Sequence, residues 1–292
     1  MGRIIWLANC TLNGRGVMSI QHILFPFDFS PPGFQAVGYV RAAAERFGAK
    51  VTLLSVIASV FDINDSLRVQ QDLQSRLDSA LTTELAGVVV ERIVALGEPA
   101  EKIVEFAHSN QVDLIMMPTY GCGFFRSLLI GSVTAKVLHD ARCPVWTAAH
   151  AEQQQSRPAP HAVLCAVGGT DGTAALIEWA GEFSEGAGAT LELLHVVPPI
   201  SEWLALPGEK EVQQQLHEEA HRKLGALRES TGVDVPLRIA AGPVVSTVAE
   251  EARQKGADLV IIGRGSLQSP LGRLRTHAYG IIQKSPCPVL SV

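Results

Sequence analysis

Short apolar runs recur along the chain, separated by longer stretches in which apolar residues return every three or four positions. Residues 23–29 (Ile-Leu-Phe-Pro-Phe-Asp-Phe), 49–56, 111–117 and 143–146 are runs of the first kind. They do not alternate with polar residues, a pattern that suits strands buried on both faces of a parallel sheet. Residues 31–47 place Ala36, Val37, Val40, Ala43, Ala44 and Phe47 at helical spacing. Ser30 stands where it can cap that helix, and prolines are tolerated in a first turn. The same spacing predicts a longer, more polar helix over 66–85, a helix over 98–110 after Gly97, and one over 132–140 after Gly131.

The pattern then repeats. The run at 23–30 has a counterpart at 163–170, 49–56 at 189–196, and 111–117 at 256–262. Cys143-Pro144-Val145 has its counterpart in Cys287-Pro288-Val289. Four landmarks in one order predict two copies of one domain, at 18–149 and 161–292. Residues 150–160, polar and proline-bearing, read as a linker, and residues 1–17 as an N-terminal extension. Within a copy the order β-α-β-α-β-α-β-α-β predicts an α/β fold: two tandem doubly wound domains, each an open five-stranded parallel sheet with helices on both faces. Ligands of such sheets sit beyond the carboxyl ends of the strands.

Composition narrows the function. Of 292 residues 47% are apolar and 18% charged, which excludes wholesale disorder. The 24 basic and 29 acidic side chains give −5, with no basic tail, so nucleic acid is not an expected partner. Cys10, Cys122, Cys143, Cys165 and Cys287 include no CxxC pair. That argues against a disulfide framework and a cysteine-rich zinc module, and fits a reducing compartment. No apolar run is long enough to span a membrane, and the apolar start of the chain is too short for a secretory leader. A cytoplasmic location is expected.

Two segments fall at the ligand edge of the first copy. Asp28, just after the first strand, offers a carboxylate to ribose hydroxyls or a base amine; a turn or helix-cap role is the alternative. After the fourth strand, residues 118–132 form a glycine-bearing loop that runs into a helix at Gly131-Ser132. Glycines let backbone approach a phosphate, and free N–H groups at a helix start point toward an anion. No Gly-Lys-Ser/Thr is present, so this is not a Walker A loop, and an ordinary turn and cap stays open as a reading.

With Asp28, the spacing Pro118-x2-Gly121-x9-Gly131-Ser132, and Cys143-Pro144-Val145 at the last strand, each copy resembles a universal stress protein domain, over 20–149 and 161–292. The resemblance implies binding of ATP, with or without Mg2+. Asp28 and Ile57 would lie around the adenosine, and Gly121, Gly131 and Ser132 around the phosphates. Two departures stand in the loop: Pro118 replaces the family's first glycine and has no N–H, and Cys122 stands where many members carry a basic residue. The second copy departs further, with Gly168 in place of Asp28, Ser266 in place of Gly121 and Arg275 in place of Gly131, so one nucleotide per chain is expected. The implied function is a cytoplasmic, nucleotide-responsive regulatory protein without a catalytic residue. The alternatives are a weak ATP hydrolase and a nucleotide-free dimerisation scaffold. The expected partners are adenine nucleotide, an intramolecular pseudo-dimer contact between 144–148 and 288–292, and a second chain in a homodimer.

Three signals compete. His217-Glu218-x-x-His221 matches the HExxH zinc pattern, but the surrounding residues suit a solvated helix and no third ligand is apparent. His195 ends a strand, where a locally hydrogen-bonded histidine is the expected reading. Cys122 is the cysteine within the site loop, where a reactive thiol would need positive surroundings.

Overall fold

The computed structural model describes residues 11–12, 18–58, 63–120, 130–148, 159–169, 172–199, 209–264 and 276–292. The chain divides into two compact units, with the border between Ala159 and Pro160.

Unit 1 opens with two short antiparallel strands, β1 (Thr11–Leu12) and β2 (Met18–Ser19), which pair Thr11 with Ser19. Part of the segment expected as an extension is thus joined to the start of the domain. The core alternates β3 (His22–Pro26), α1 (Pro31–Phe47), β4 (Lys50–Ile57), α2 (Ile63–Ser79), β5 (Val90–Leu96), α3 (Pro99–Ser109), β6 (Leu114–Pro118), α4 (Ser132–Asp140) and β7 (Val145–Ala148). Its five strands run parallel in the order β7-β6-β3-β4-β5. Central β3 buries Ile23, Leu24 and Phe25 completely, which explains why its sequence does not alternate.

The local signals act as their chemistry requires. Ser30 Oγ accepts the Gly33 N–H at 3.2 Å and caps α1, whose first turn holds Pro31 and Pro32. Gly48 ends α1 at φ +66°, a left-handed position that glycine takes without a Cβ penalty. The α1 face carrying Ala36, Val37, Val40, Ala43 and Ala44 is buried. Helix α2 differs from expectation: it begins at Ile63 and ends at Ser79 rather than covering 66–85. Leu81 adopts φ +56°, which a right-handed helix cannot contain, and turns follow to residue 87. Leu81 and Leu85 are nevertheless buried, so the apolar spacing is real but serves packing of a turn.

Unit 2 repeats the plan with β8 (Ala162–Ala166), α5 (Thr173–Ala187), β9 (Thr190–Val197), α6 (Glu209–Thr231), β10 (Leu237–Ala241), α7 (Val244–Gln254), β11 (Leu259–Ile262), α8 (Thr276–Lys284) and β12 (Val289–Ser291). Its strand order is β10-β9-β8-β11-β12, with β10, β9, β8 and β11 joined in parallel pairs. Both units are therefore doubly wound α/β domains of one topology.

The repeated aspartates fasten the amino-terminal edge of each sheet. Asp113 Oδ2 accepts the N–H groups of Gln21 and His22 at 2.8 and 2.9 Å. Asp258 accepts those of His161 and Ala162. Each carboxylate precedes a fourth strand and holds the entry to the first, so it satisfies donors that the sheet leaves open. His22 is buried beside Asp113, with Nε2 2.8 Å from Thr52 Oγ1 and Nδ1 3.2 Å from the Asn110 carbonyl.

Candidate functional site

In unit 1 the first and fourth strands, β3 and β6, are neighbours, and the chain leaves them toward opposite edges of the sheet. Strands that diverge in this way leave a crevice beyond their carboxyl ends, where open parallel sheets take ligands. Asp28 lies just beyond the end of β3, and Ile57 is the last residue of β4. Thr119 follows β6, and Gly131 and Ser132 open α4. Four of the five site residues expected from the sequence therefore sit at one edge of three adjacent strands. Gly121, together with Cys122, lies outside the described residues.

Asp28 is exposed, and its Oδ1 accepts the Ser30 N–H at 3.0 Å. The turn role left open by the sequence is thus filled, and the carboxylate stays at the surface of the crevice edge. Phe29 beside it adopts φ +57°, a strained backbone position for a side chain of this size. Its ring lies 4.8 Å from that of Phe27 and carries the Arg76 guanidinium at 4.6 Å, so stacking and a cation–π contact hold the conformation. Ile57 is half-buried, and its carbonyl accepts the Gly97 N–H at 2.9 Å.

At the start of α4, the Gly131 N–H donates to the Thr119 carbonyl at 3.0 Å, and the Gly131 carbonyl accepts the Ala135 N–H at 2.8 Å. Gly131 has φ −56° and ψ 143°, open to any residue. A Cβ placed on it would meet Tyr120 Cα at 3.4 Å and the Thr119 carbonyl oxygen at 3.6 Å, both ordinary van der Waals distances. Among the described residues, neither backbone strain nor crowding explains a glycine here. Helices α1 and α3 are capped by side chains, Ser30 and Glu98 respectively, whereas α4 has no side-chain cap. Its first-turn N–H groups and the positive end of its dipole face the crevice edge. Thr134 Oγ1 donates to the Pro118 carbonyl at 3.2 Å and ties this helix start to the end of β6.

Sequence reasoning passed over Thr119. It is 5% exposed, and its hydroxyl has no hydrogen-bond partner among the described residues. An orphaned buried hydroxyl carries a free-energy cost, and this one adjoins Gly131. The available signal was its position, a hydroxyl residue directly after the apolar run of β6.

Unit 2 lacks these features where it can be compared. Gly168 replaces Asp28, and its carbonyl accepts the Thr173 hydroxyl. His195 is half-buried, with Nδ1 2.9 Å from the Val167 carbonyl, to which it donates. Arg264 follows Gly263 and is buried, a cation at this edge that the sequence reading did not single out. Ser266 and Arg275 lie outside the described residues. On α6, His217 is half-buried and His221 exposed. Among the described residues no three His, Cys, Asp or Glu side chains gather at a metal-binding distance. Cys143, Cys165 and Cys287 are buried thiols that form no disulfide among the described residues. Burial pushes the thiols of Cys165 and Cys287 up, the latter to about 12. No helix of the described residues is long and apolar enough to cross a membrane.

Comparison with known proteins agrees with this architecture. A universal stress protein of Thermus aquaticus is 33% identical over 129 residues, which span 42% of this chain and 94% of the relative. One from Synechocystis is 39% identical over 138 residues, 47% of this chain and 46% of the relative. The crystal structure of a universal stress protein from Archaeoglobus fulgidus superposes with a TM-score of 0.68 at 23% identity, covering 94% of this chain and 96% of that one. The model of the universal stress protein family matches twice, over residues 19–148 and 160–292, and the chain accordingly belongs to that family as a tandem member with two such domains.

Proposed function

We propose that unit 1 binds one adenine nucleotide per chain, ATP with or without Mg2+, and that occupancy of this site makes the chain a nucleotide-responsive regulatory protein of the cytoplasm. The observation that carries the reading is Gly131. The described residues leave room for a side chain there, so the space kept open by its absence suits a phosphate at the uncapped start of α4. Ser132 adds a hydroxyl donor at the same place, and the orphaned Thr119 hydroxyl, 5% exposed, gains a use if a ligand or its water reaches it. Asp28 fits the ribose, because its exposed carboxylate accepts only from donors. The side chain of Ile57 supplies an apolar wall for the adenosine. Gly121, in the loop between, completes the proposed cradle. A bound ATP would supply charge and bulk at the crevice, and the protein's part is to hold it there.

Unit 2 fits this role poorly. It offers no carboxylate at Gly168, so the proposal is one site and not two.

The test is calorimetric titration of the nucleotide-free chain with ATP, repeated on Gly131→Val. The parent should bind one equivalent. The variant should fold normally and bind at least tenfold more weakly, about 1.4 kcal/mol. Two equivalent sites per chain, or a folded variant with unchanged affinity, would refute the assignment. Steady-state phosphate release on the same samples separates a binding protein from a weak hydrolase.

A further inference from the structure

We propose that unit 2 carries a second, unrelated ligand site at the opposite edge of its sheet, a groove that takes a linear aliphatic polyamine. A cavity of about 810 Å³ opens there between α5, the starts of β8 and β9, and the segment leading into β10. Its lining brings Glu178, Glu182, Glu185, Glu192 and Asp234 against a single lysine, Lys255. That lysine is already committed, with Nζ 3.0 Å from Glu192 Oε1. In a parallel α/β unit the helices return to this edge, so their carboxyl ends meet here. Residues at the ends of α5, α6 and α7 all line the cavity, and the negative ends of three helix dipoles add to the carboxylates. Helix α5 has no basic residue in its last turn to offset this. Burial, then the charges of Glu178 and Glu185, hold the Glu182 carboxyl above its ordinary pKa, as expected for a carboxylate lacking a cation.

An independent feature points to a ligand. Ser184, on the wall of the same cavity, is 3% exposed, and its hydroxyl has no hydrogen-bond partner among the described residues. A hydroxyl can accept from an ammonium group, which the surrounding carboxylates would also attract.

The arrangement selects an extended organic cation over a metal ion. Among the described residues no three acidic or other ligating side chains converge closely enough to hold one small ion. The carboxylates are instead spread along the groove, with three of them at positions 178, 182 and 185 on one side of α5. The same lining includes the apolar side chains of Leu191, Val233 and Val235. Val233 approaches α5 closely because residue 181 is glycine: a Cβ there would lie 3.1 Å from Val233 Cγ2. Separated ammonium groups joined by methylene spacers match separated carboxylates and apolar side chains in one lining.

The experiment is titration of the full, nucleotide-free chain with spermidine at low ionic strength, with Mg2+ and butylamine as comparison cations. One saturable equivalent of spermidine is expected, with butylamine at least tenfold weaker and equimolar Mg2+ unable to displace it. The double variant Glu182→Gln with Glu185→Gln should weaken binding at least tenfold. Lys255→Gln, which frees Glu192, should tighten it at least threefold, an effect that loss of folding cannot mimic. No saturable binding, displacement by equimolar Mg2+, equal binding of butylamine, or affinity unmoved by both variants would overturn the proposal.

Discussion

The two edge aspartates perform one task with different geometry, and the difference predicts how each tolerates asparagine. At Asp113 both backbone donors, Gln21 N–H and His22 N–H, land on the same oxygen, Oδ2. In Asp113→Asn the amide oxygen can take that place and keep both bonds. The substitution also removes the buried charge whose desolvation raises the Asp113 pKa. Asp113→Asn should therefore change stability by no more than about 1 kcal/mol. Asp113→Ala removes the acceptor of both bonds and strands the buried His22 N–H, while Gln21 is exposed enough to find water. A loss of about 2–4 kcal/mol is expected, from one buried and one half-exposed bond to a charged group. At Asp258 both oxygens are engaged. His161 N–H lies 3.0 Å from Oδ1 and 2.9 Å from Oδ2, and Ala162 N–H lies 3.0 Å from Oδ1. Either rotamer of an asparagine then turns an NH2 toward a backbone donor. Asp258→Asn should cost about 1–2 kcal/mol, clearly more than its counterpart. Two units need not unfold together, so the measurement should be local. Amide exchange of peptides covering residues 21–26 and 161–166, followed by mass spectrometry, reads each edge separately. If Asp113→Asn exchanged as fast as Asp113→Ala, or Asp258→Asn were as mild as Asp113→Asn, the hydrogen-bond account of these edges would be wrong.

Three further outcomes are expected. Burial, and then the charge of Lys50, hold the His22 pKa below 6.5. Its contribution to stability is present above the unfolded value and lost as pH falls through the folded one. Asp113, whose pKa is raised, runs the other way and contributes below about 3.8. Urea midpoints should fall as pH is lowered from roughly 7 to 5, and His22→Gln should flatten that slope; an unchanged slope would remove His22 from the account. Gly280→Ala in α8 would bring a Cβ to 2.8 Å from Val245 Cγ2 on α7. It should destabilise by about 1–3 kcal/mol alone and much less with Val245→Ala, so additive effects in thermal melts would contradict the close packing. Cys143, Cys165 and Cys287 should resist iodoacetamide until denaturant is added, and native labelling of any of them would show that these buried thiols open locally.

The sequence was most legible where short-range chemistry decides the outcome. Helices α1 and α4 follow their predicted bounds of 31–47 and 132–140, because a cap or glycine start and an apolar face agree on both. It misled at the end of α2. Leu81 and Leu85 continue the helical spacing, and no letter in the sequence announces that leucine will take a left-handed conformation there. At the candidate site the sequence marked Asp28 and Gly131, but it did not show that Asp28 is also bonded to the Ser30 N–H. Thr119 was invisible for a different reason. A threonine after a strand is unremarked until its burial and its lack of a partner are known, and both depend on residues far along the chain.

The second copy bears on the role proposed for the Asp28 carboxylate in the first. If Asp28 served only the turn after β3, the fold would demand an equivalent after β8. Unit 2 instead has Gly168 there, and the turn is fastened from the other side by the Thr173 hydroxyl donating to the Gly168 carbonyl. Helix α5 starts at Gly172 without any side-chain cap and still forms. A first turn of this architecture thus forms with glycine at the position of Asp28. The amino-terminal edge shows the contrary case, for Asp113 and Asp258 both remain and both hold backbone N–H groups. Asp113 and Asp258, which fasten the sheet, are thus present in both units, whereas Asp28 at the carboxyl edge is not. An exposed Asp28, at a position where unit 2 carries glycine, accords with the proposal that this carboxylate serves a ligand.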